Sequence, residues 1–264
     1  MKITVFTSNQ PRHLALINRL AIISNVTYAV MECNTVFPGQ VNDFFKKSDI
    51  MKEYFSHVML AERKVFGHLS FLSSKVRSLS IKSGDLNFID KKQIREALNS
   101  DVYLVFGASY IKGWLIDFLV EHGALNIHMG ISPYYRGSSC NFWALYDDRP
   151  ELVGATIHLL SKGLDSGPML YHAIPKLSDH NPFEFTMFAV EAAQKSLIEH
   201  IGNQEIKNFS PKAQNKGYEI RYTKNSDFTD EIALNFLSRK LDNSKIKELI
   251  KNSNRHELLH PYYA

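Results

Sequence analysis

The chain has 264 residues, 44% of them hydrophobic, and a formal net charge of +4. That is enough apolar material for a packed core in one large domain, or in one domain with an appendage. The mild basic balance favours small anionic substrates and falls short of a nucleic-acid-binding footprint. Cys33 and Cys140 are the only cysteines; far apart in sequence, they offer neither metal spacing nor a disulfide framework, so a reducing cytoplasm is the expected compartment. No apolar run approaches the ~18 residues needed to span a bilayer, and no membrane partner is expected. Repeats and low-complexity tracts are absent.

The opening MKITVFTSN has no apolar leader core and reads as a first strand over Ile3 to Phe6. Ser8-Asn9-Gln10-Pro11 then signals a helix start, and Leu14, Ile17, Leu20 and Ala21 repeat at helical spacing. Val26 to Met31 is a second strand, completing a β-α-β opening that predicts a parallel sheet covered by helices. Residues 41–66 read as a helix with Phe44, Phe45, Met51, Tyr54, Phe55, Val58 and Met59 on its apolar side. A strand over Leu79 to Ile81, a short helix over Lys91 to Leu98 and a strand over Val102 to Phe106 follow. Leu115 to Val120 belongs to another helix, stopped by His122-Gly123. After the strand around Asn126 come a short helix over Ser138 to Tyr146 and strands over Gly154 to Leu160 and Met169 to Ile174. These two strands are joined by the turn-rich loop Ser161 to Pro168. Asn181-Pro182 opens a helix running to about Ile201. Beyond, Tyr218 to Tyr222 reads as a strand, and Asp230 to Leu237 and Ser244 to Lys251 as helices. The division expected is 1–204 as the main domain and 205–264 as a small C-terminal α/β extension.

The segment GALNIHMGISPYYRG, residues 123–137, puts Asn126 and His128 on one face of a strand that should be buried. A central parallel strand is normally apolar on both faces, and an unpaired buried amide costs roughly 1–3 kcal/mol. Two ordinary hydrogen-bonded core polars would satisfy that rule. The place of the pair weighs against it, because open α/β sheets put ligands at the carboxyl ends of their strands. Asp165, inside Gly163-Leu-Asp-Ser-Gly167, offers a carboxylate where flanking glycines permit close backbone approach; read alone, it is also a common turn residue. Asn, His and Asp together make an acyl-transfer set with no protein nucleophile: the amide donates to an oxyanion, the imidazole donates or relays a proton, and the aspartate orients the imidazole and favours its charged form. His122, His158, His172 and His180 lack ligand spacing and read as surface or packed residues. Cys140 reads as a small core residue, and no metal site is expected.

The stretches LVFGASYIKGWLIDF, GALNIHMGISPYYRGSSCNFWAL and GATIHLLSKGLDSGPMLYH resemble the folate-dependent formyltransferases, most strongly over residues 102–175. The resemblance implies a Rossmann-like, mostly parallel α/β sheet with helices on both faces. It implies that Asn126, His128 and Asp165 are catalytic and that the formyl donor is 10-formyltetrahydrofolate. It further implies that the folate lies between the strand end Phe106-Gly107-Ala108-Ser109 and the Leu164-Asp165 loop. In this family the reaction formylates an amine.

The acceptor is narrowed by departures. Thr7-Ser8-Asn9-Gln10-Pro11 lacks the glycine-rich phosphate loop of the glycinamide ribonucleotide enzymes. The segment 201–264 carries 11 Lys/Arg against 8 Asp/Glu, thin for gripping tRNA, whose affinity comes from phosphate neutralisation. An amino sugar linked to a nucleotide is therefore the favoured acceptor, with Arg12, His13, Tyr134, Tyr135 and Arg136 as contacts and no nucleic-acid partner. A methionyl-tRNA-type or other small-amine formyltransferase, a formyltetrahydrofolate hydrolase and a non-catalytic folate- or nucleotide-binding protein are the alternatives. Phe209, Tyr218, Ile220 and Tyr222 would either form a homodimer contact or cap the sheet.

Overall fold

The computed structural model of the chain describes residues 1–33, 48–253 and 256–264. Its strands are β1 (Lys2–Ser8), β2 (Val26–Cys33), β3 (Val76–Lys82), β4 (Val102–Val105), β5 (Leu125–His128), β6 (Tyr135–Gly137), β7 (Ala155–Leu159), β8 (Met169–Ile174), β9 (Arg221–Thr223) and β10 (Tyr262–Tyr263). Its helices are α1 (Pro11–Ile23), α2 (Asp49–Phe66), α3 (Gly113–Glu121), α4 (Cys140–Tyr146), α5 (Pro182–Gly202), α6 (Asp230–Ser238) and α7 (Asn243–Asn252).

Eight strands form one sheet in the order β10-β8-β7-β5-β4-β1-β2-β3. The run from β3 to β5 is parallel, whereas β7 lies antiparallel between β5 and β8. The chain order reverses between β1 and β4, and the crevice at such a switch point is where open α/β sheets bind ligands. Side-chain alternation divides the core. Ile3 and Val5 pack with Leu16, Ile17, Leu20 and Leu197 under α1 and α5. Phe6 and Val30 pack with Leu86, Tyr103, Leu115 and Leu119 on the other face. Helix starts follow local chemistry: Ser48 accepts a hydrogen bond from the Met51 amide at the head of α2, and Asn181 from the Glu184 amide at the head of α5. Pro11 occupies the first turn of α1, which begins after Gln10 without a side-chain cap.

Three expectations change. The helix over 41–66 begins, among the described residues, at Asp49; Phe44 and Phe45 lie outside them. Lys91 to Leu98 forms successive turns instead of a helix. Only the Leu98 amide reaches back four residues, to Ile94, while Gln93 and Asn99 bond three residues back. A segment this short cannot repay helix nucleation by itself, and burial of Ile94 and Ala97 anchors it in the tighter form. The strand expected over Tyr218 to Tyr222 begins at Arg221, after a single 3-10 turn over Lys216–Tyr218.

Residues 205–264 wrap the sheet unit closely. β10 pairs with β8 at the sheet edge, and β9 pairs with β6, a strand the sequence did not announce. Phe236 and Ile246 enter a second core with Tyr54, Phe142, Trp143 and Phe185. Phe209 caps the sheet against Tyr171, ring centroids 4.9 Å apart. Tyr218, Ile220 and Tyr222 stay about half exposed.

Candidate active site

β5 is buried along its whole length and carries Asn126 and His128 on one face. Its antiparallel partner sets Asn126 opposite His158 and His128 opposite Thr156. The Asn126 amide nitrogen lies 2.9 Å from His158 Nε2. The other nitrogen of that ring, Nδ1, lies 2.8 Å from the Leu159 carbonyl. A carbonyl only accepts, so Nδ1 carries the proton and Nε2 accepts from Asn126. Burial pushes the His158 pKa down to about 4, and the ring is neutral at ordinary pH.

Asp165 reaches the same face from the loop between β7 and β8. Its Oδ1 accepts from the Asn126 amide at 3.2 Å, and its Oδ2 lies 3.4 Å from His128 Nδ1. Asn126 thus has both amide hydrogens engaged, one on His158 and one on Asp165. The loop folds back tightly onto β7. A Cβ at Gly167 would lie 1.7 Å from the Leu159 carbonyl oxygen, so only glycine fits there. Asp165 itself has φ +43°, in the left-handed region that aspartate tolerates better than most residues. Gln214, from the C-terminal segment, clamps the loop by donating to the carbonyls of Asp165 and Gly167, 2.9 Å each.

Charge is organised around His128. Burial alone would lower its pKa; the Cys140 sulfur and the Asp165 carboxylate beside it prevail and hold it well above the usual imidazole value. Burial likewise opposes ionisation of Asp165, but His128 and Asn126 hold its pKa below the ordinary carboxylate value. Both shifts favour an imidazolium–carboxylate pair.

The two loops expected to flank the folate stand side by side, bridged by the Tyr110 hydroxyl donating to the Lys162 carbonyl at 2.9 Å. Phe106 is buried, Gly107 is open to solvent and Leu164 is exposed. Gly107 has φ +66°, and a Cβ there would lie 2.6 Å from His13 Nε2. The buried Glu32 carboxylate fixes this turn, accepting from the amide and hydroxyl of Ser109 and from the Gly84 amide. Open Gly107 backbone on one loop and the exposed apolar Leu164 on the other suit a flat heteroaromatic ring with polar edges.

On the other side His128 opens into a cavity of about 350 Å³, lined also by Arg12, Tyr54, Phe142, Phe183 and Phe228. Of the five expected acceptor contacts only Arg12 lines it; Arg12 also pairs with Glu62 at 2.8 Å. His13 is buried against Phe106, ring centroids 4.8 Å apart, and burial followed by the neighbouring Arg12 charge lowers its pKa well below the usual value. Tyr134, Tyr135 and Arg136 are committed inside the protein. Tyr134 donates to the Glu257 carbonyl, Tyr135 to Asp147, and Arg136 pairs with Glu219 at 2.9 Å. The physical reason is local for Tyr135, held by Asp147, and for Tyr134 and Arg136 it is the C-terminal segment, which packs over this loop and takes up their polar groups.

Sequence reasoning set His158 aside among packed histidines, yet it is bonded to Asn126. The signal was available: Thr156-Ile-His158 repeats the polar-x-polar pattern of Asn126-Ile-His128, and an antiparallel hairpin-like pairing would bring the two patterns face to face. Gln214 and Glu32 carry no comparable signal, since each acts through contacts distant in sequence.

Residues 89–199 match the family model described as formyl transferase. Among curated proteins, the methionyl-tRNA formyltransferase of Thermotoga neapolitana is 28% identical over 175 residues, covering 66% of this chain and 53% of that protein. The chain thus spans about half the length of this relative. Among solved structures, a sugar N-formyltransferase from a Shewanella species superposes with TM-score 0.51 at 18% identity, covering 89% of this chain and 86% of that one. Phosphoribosylglycinamide formyltransferase from Anaplasma phagocytophilum gives TM-score 0.53 at 14% identity, covering 85% and 98%. These structural likenesses establish the α/β fold. The matched segment, which contains Asn126, His128 and Asp165, is similar to the formyl transferase family.

Proposed function

We propose that the protein is an N-formyltransferase that moves a formyl group from 10-formyltetrahydrofolate to a primary amine, carried on an amino sugar linked to a nucleotide. The observation that carries this reading is the convergence of an amide and an imidazole on one carboxylate, at 3.2 and 3.4 Å, at the end of β5. When bound, the folate supplies the formyl carbon and a nitrogen leaving group. Asn126 and His128 present N–H groups to negative charge growing on the formyl oxygen, a contribution worth about 10²–10³ in rate per donor. Their contacts with Asp165, 3.2 and 3.4 Å, are long enough to exchange for a charged oxygen. Asp165 takes a proton from the attacking amine and passes it towards the leaving nitrogen. His158 keeps the Asn126 amide turned to the site.

Support for the sugar acceptor is the aromatic wall of the cavity beside His128, since ring faces pack well against sugar and base rings. Arg12 lines the same cavity and suits a phosphate. A methionyl-tRNA acceptor is favoured by the curated relatives instead. The deciding experiment incubates the protein with 10-formyltetrahydrofolate and, in parallel, a panel of amino-sugar nucleotides and methionyl-tRNA. A gain of one formyl mass on a sugar nucleotide supports the proposal. Formylated tRNA moves the acceptor to the second reading, and formate release with no formylated amine defeats both in favour of hydrolysis.

A further inference from the structure

We infer that Cys140 is a positioning residue for the catalytic imidazole: its sulfur completes a shell of hydrogen-bond acceptors that keeps His128 doubly protonated. The argument starts from what each ring nitrogen faces. Nδ1 faces Asp165 Oδ2 at 3.4 Å. Nε2 faces the Tyr135 carbonyl at 3.3 Å and Cys140 Sγ at 3.5 Å. A carboxylate and a carbonyl accept only. The Cys140 thiol has its own acceptor in the Gly137 carbonyl at 3.4 Å, which leaves a sulfur lone pair for Nε2–H. The carboxylate and the carbonyl can only accept from the ring, and the thiol accepts as well while its hydrogen stays on Gly137. A neutral imidazole would set one nitrogen lone pair against an oxygen or sulfur lone pair in a buried place.

The backbone is shaped for this contact. A Cβ at Gly130 would lie 2.4 Å from Cys140 Cβ and 3.0 Å from His128 Nε2, so the approach of α4 to β5 requires glycine at that position. Cys140 is 1% exposed, and its sulfur has no bulk water to turn to. The other titratable groups around His128 are Asp165 from the β7–β8 loop, His158 from β7, which stays neutral, and Arg12, which lines the same cavity. Asp165 supplies the counter-charge at one nitrogen; Cys140 and the Tyr135 carbonyl keep the proton on the other. The catalytic consequence, a cationic donor for the formyl oxygen, rests on the function proposed above; the protonation state itself does not.

The test reads that state directly. The full chain, with isotope-labelled histidine, is titrated by nuclear magnetic resonance as wild type, Cys140→Ala and Cys140→Ser. The His128 ring should remain doubly protonated above neutral pH in the wild type. In Cys140→Ala it should titrate lower by roughly half to one pH unit, the scale of one weak hydrogen bond lost from a charged group. Cys140→Ser, whose hydroxyl offers the same acceptor, should stay near the wild type. With an identified acceptor, the loss of rate on the alkaline side should begin at correspondingly lower pH in Cys140→Ala. A neutral His128 above pH 7 in the wild type overturns the inference without any variant. So does equal titration in all three proteins, or a serine variant that behaves like the alanine one. Failure of formyl transfer with the expected titration would instead strike the proposed function and leave this inference standing.

Discussion

Asn126→Ala separates the site's two debts to one side chain. The amide donates to His158 Nε2 at 2.9 Å and to Asp165 Oδ1 at 3.2 Å, and Asn126 is only 9% exposed. Its removal leaves a neutral, buried imidazole nitrogen without a donor and strips one hydrogen bond from a carboxylate. One unsatisfied buried acceptor costs about 1–3 kcal/mol, and the Asp165 bond adds less because its side chain is 20% exposed. For a chain of this size, that loss lowers Tm by roughly 2–6 °C. The same change removes the proposed oxyanion donor, so formyl transfer should fall by about 10²–10³ while the protein remains folded. The assay pairs a thermal melt with transfer to the amine identified in the panel. The double variant Asn126→Leu with His158→Leu removes donor and acceptor together; it should recover part of the Tm and none of the activity. A folded Asn126→Ala protein within tenfold of the wild-type rate would falsify the role given to this amide.

Other expected outcomes concern charge, the turn proposed to bind folate and the C-terminal segment. The raised pKa of His128 gives stability that is fully present below the ordinary imidazole value and lost as pH rises through the folded-state value. The lowered pKa of Asp165 gives stability present above the ordinary carboxylate value and lost as pH falls through its folded-state value. The urea midpoint of the wild type, compared with His128→Gln, should therefore hold its advantage through mildly acidic pH and lose it on the alkaline side; a constant difference across that range contradicts the ion pair. Glu32→Gln turns a donor towards the amides of Ser109 and Gly84, so tetrahydrofolate measured by calorimetry should bind several-fold more weakly, and unchanged affinity would move the folate away from this turn. Arg221→Ala breaks the two-point contact with Asp147, at 2.7 and 2.8 Å. Because the guanidinium is about a third exposed, the cost should be about 1 kcal/mol or less, seen in denaturant unfolding, with a larger loss pointing to collapse of the loop that Asp147 also holds through Tyr135.

Much of this molecule was legible from local pattern. Apolar runs of four to eight residues between turn signals marked the strands, because a parallel sheet buried on both faces requires them. Helix heads at Pro11 and Asn181 were readable because proline has no amide to leave orphaned in a first turn and asparagine accepts from one. Asn126 and His128 stood out because amide and imidazole side chains are costly in a buried strand unless they serve something. The sequence by itself thus determined the layered α/β core and the polar pair at its centre. Tertiary structure alone decided the rest. The antiparallel turn of β7 set His158 against Asn126, since register across strands depends on how the intervening chain folds back. The C-terminal segment took up the polar ends of Tyr134 and Arg136, and it held the Asp165 loop through Gln214. Those assignments depend on contacts between residues dozens of positions apart, and no local spacing in a chain encodes which distant partner will satisfy a buried polar group.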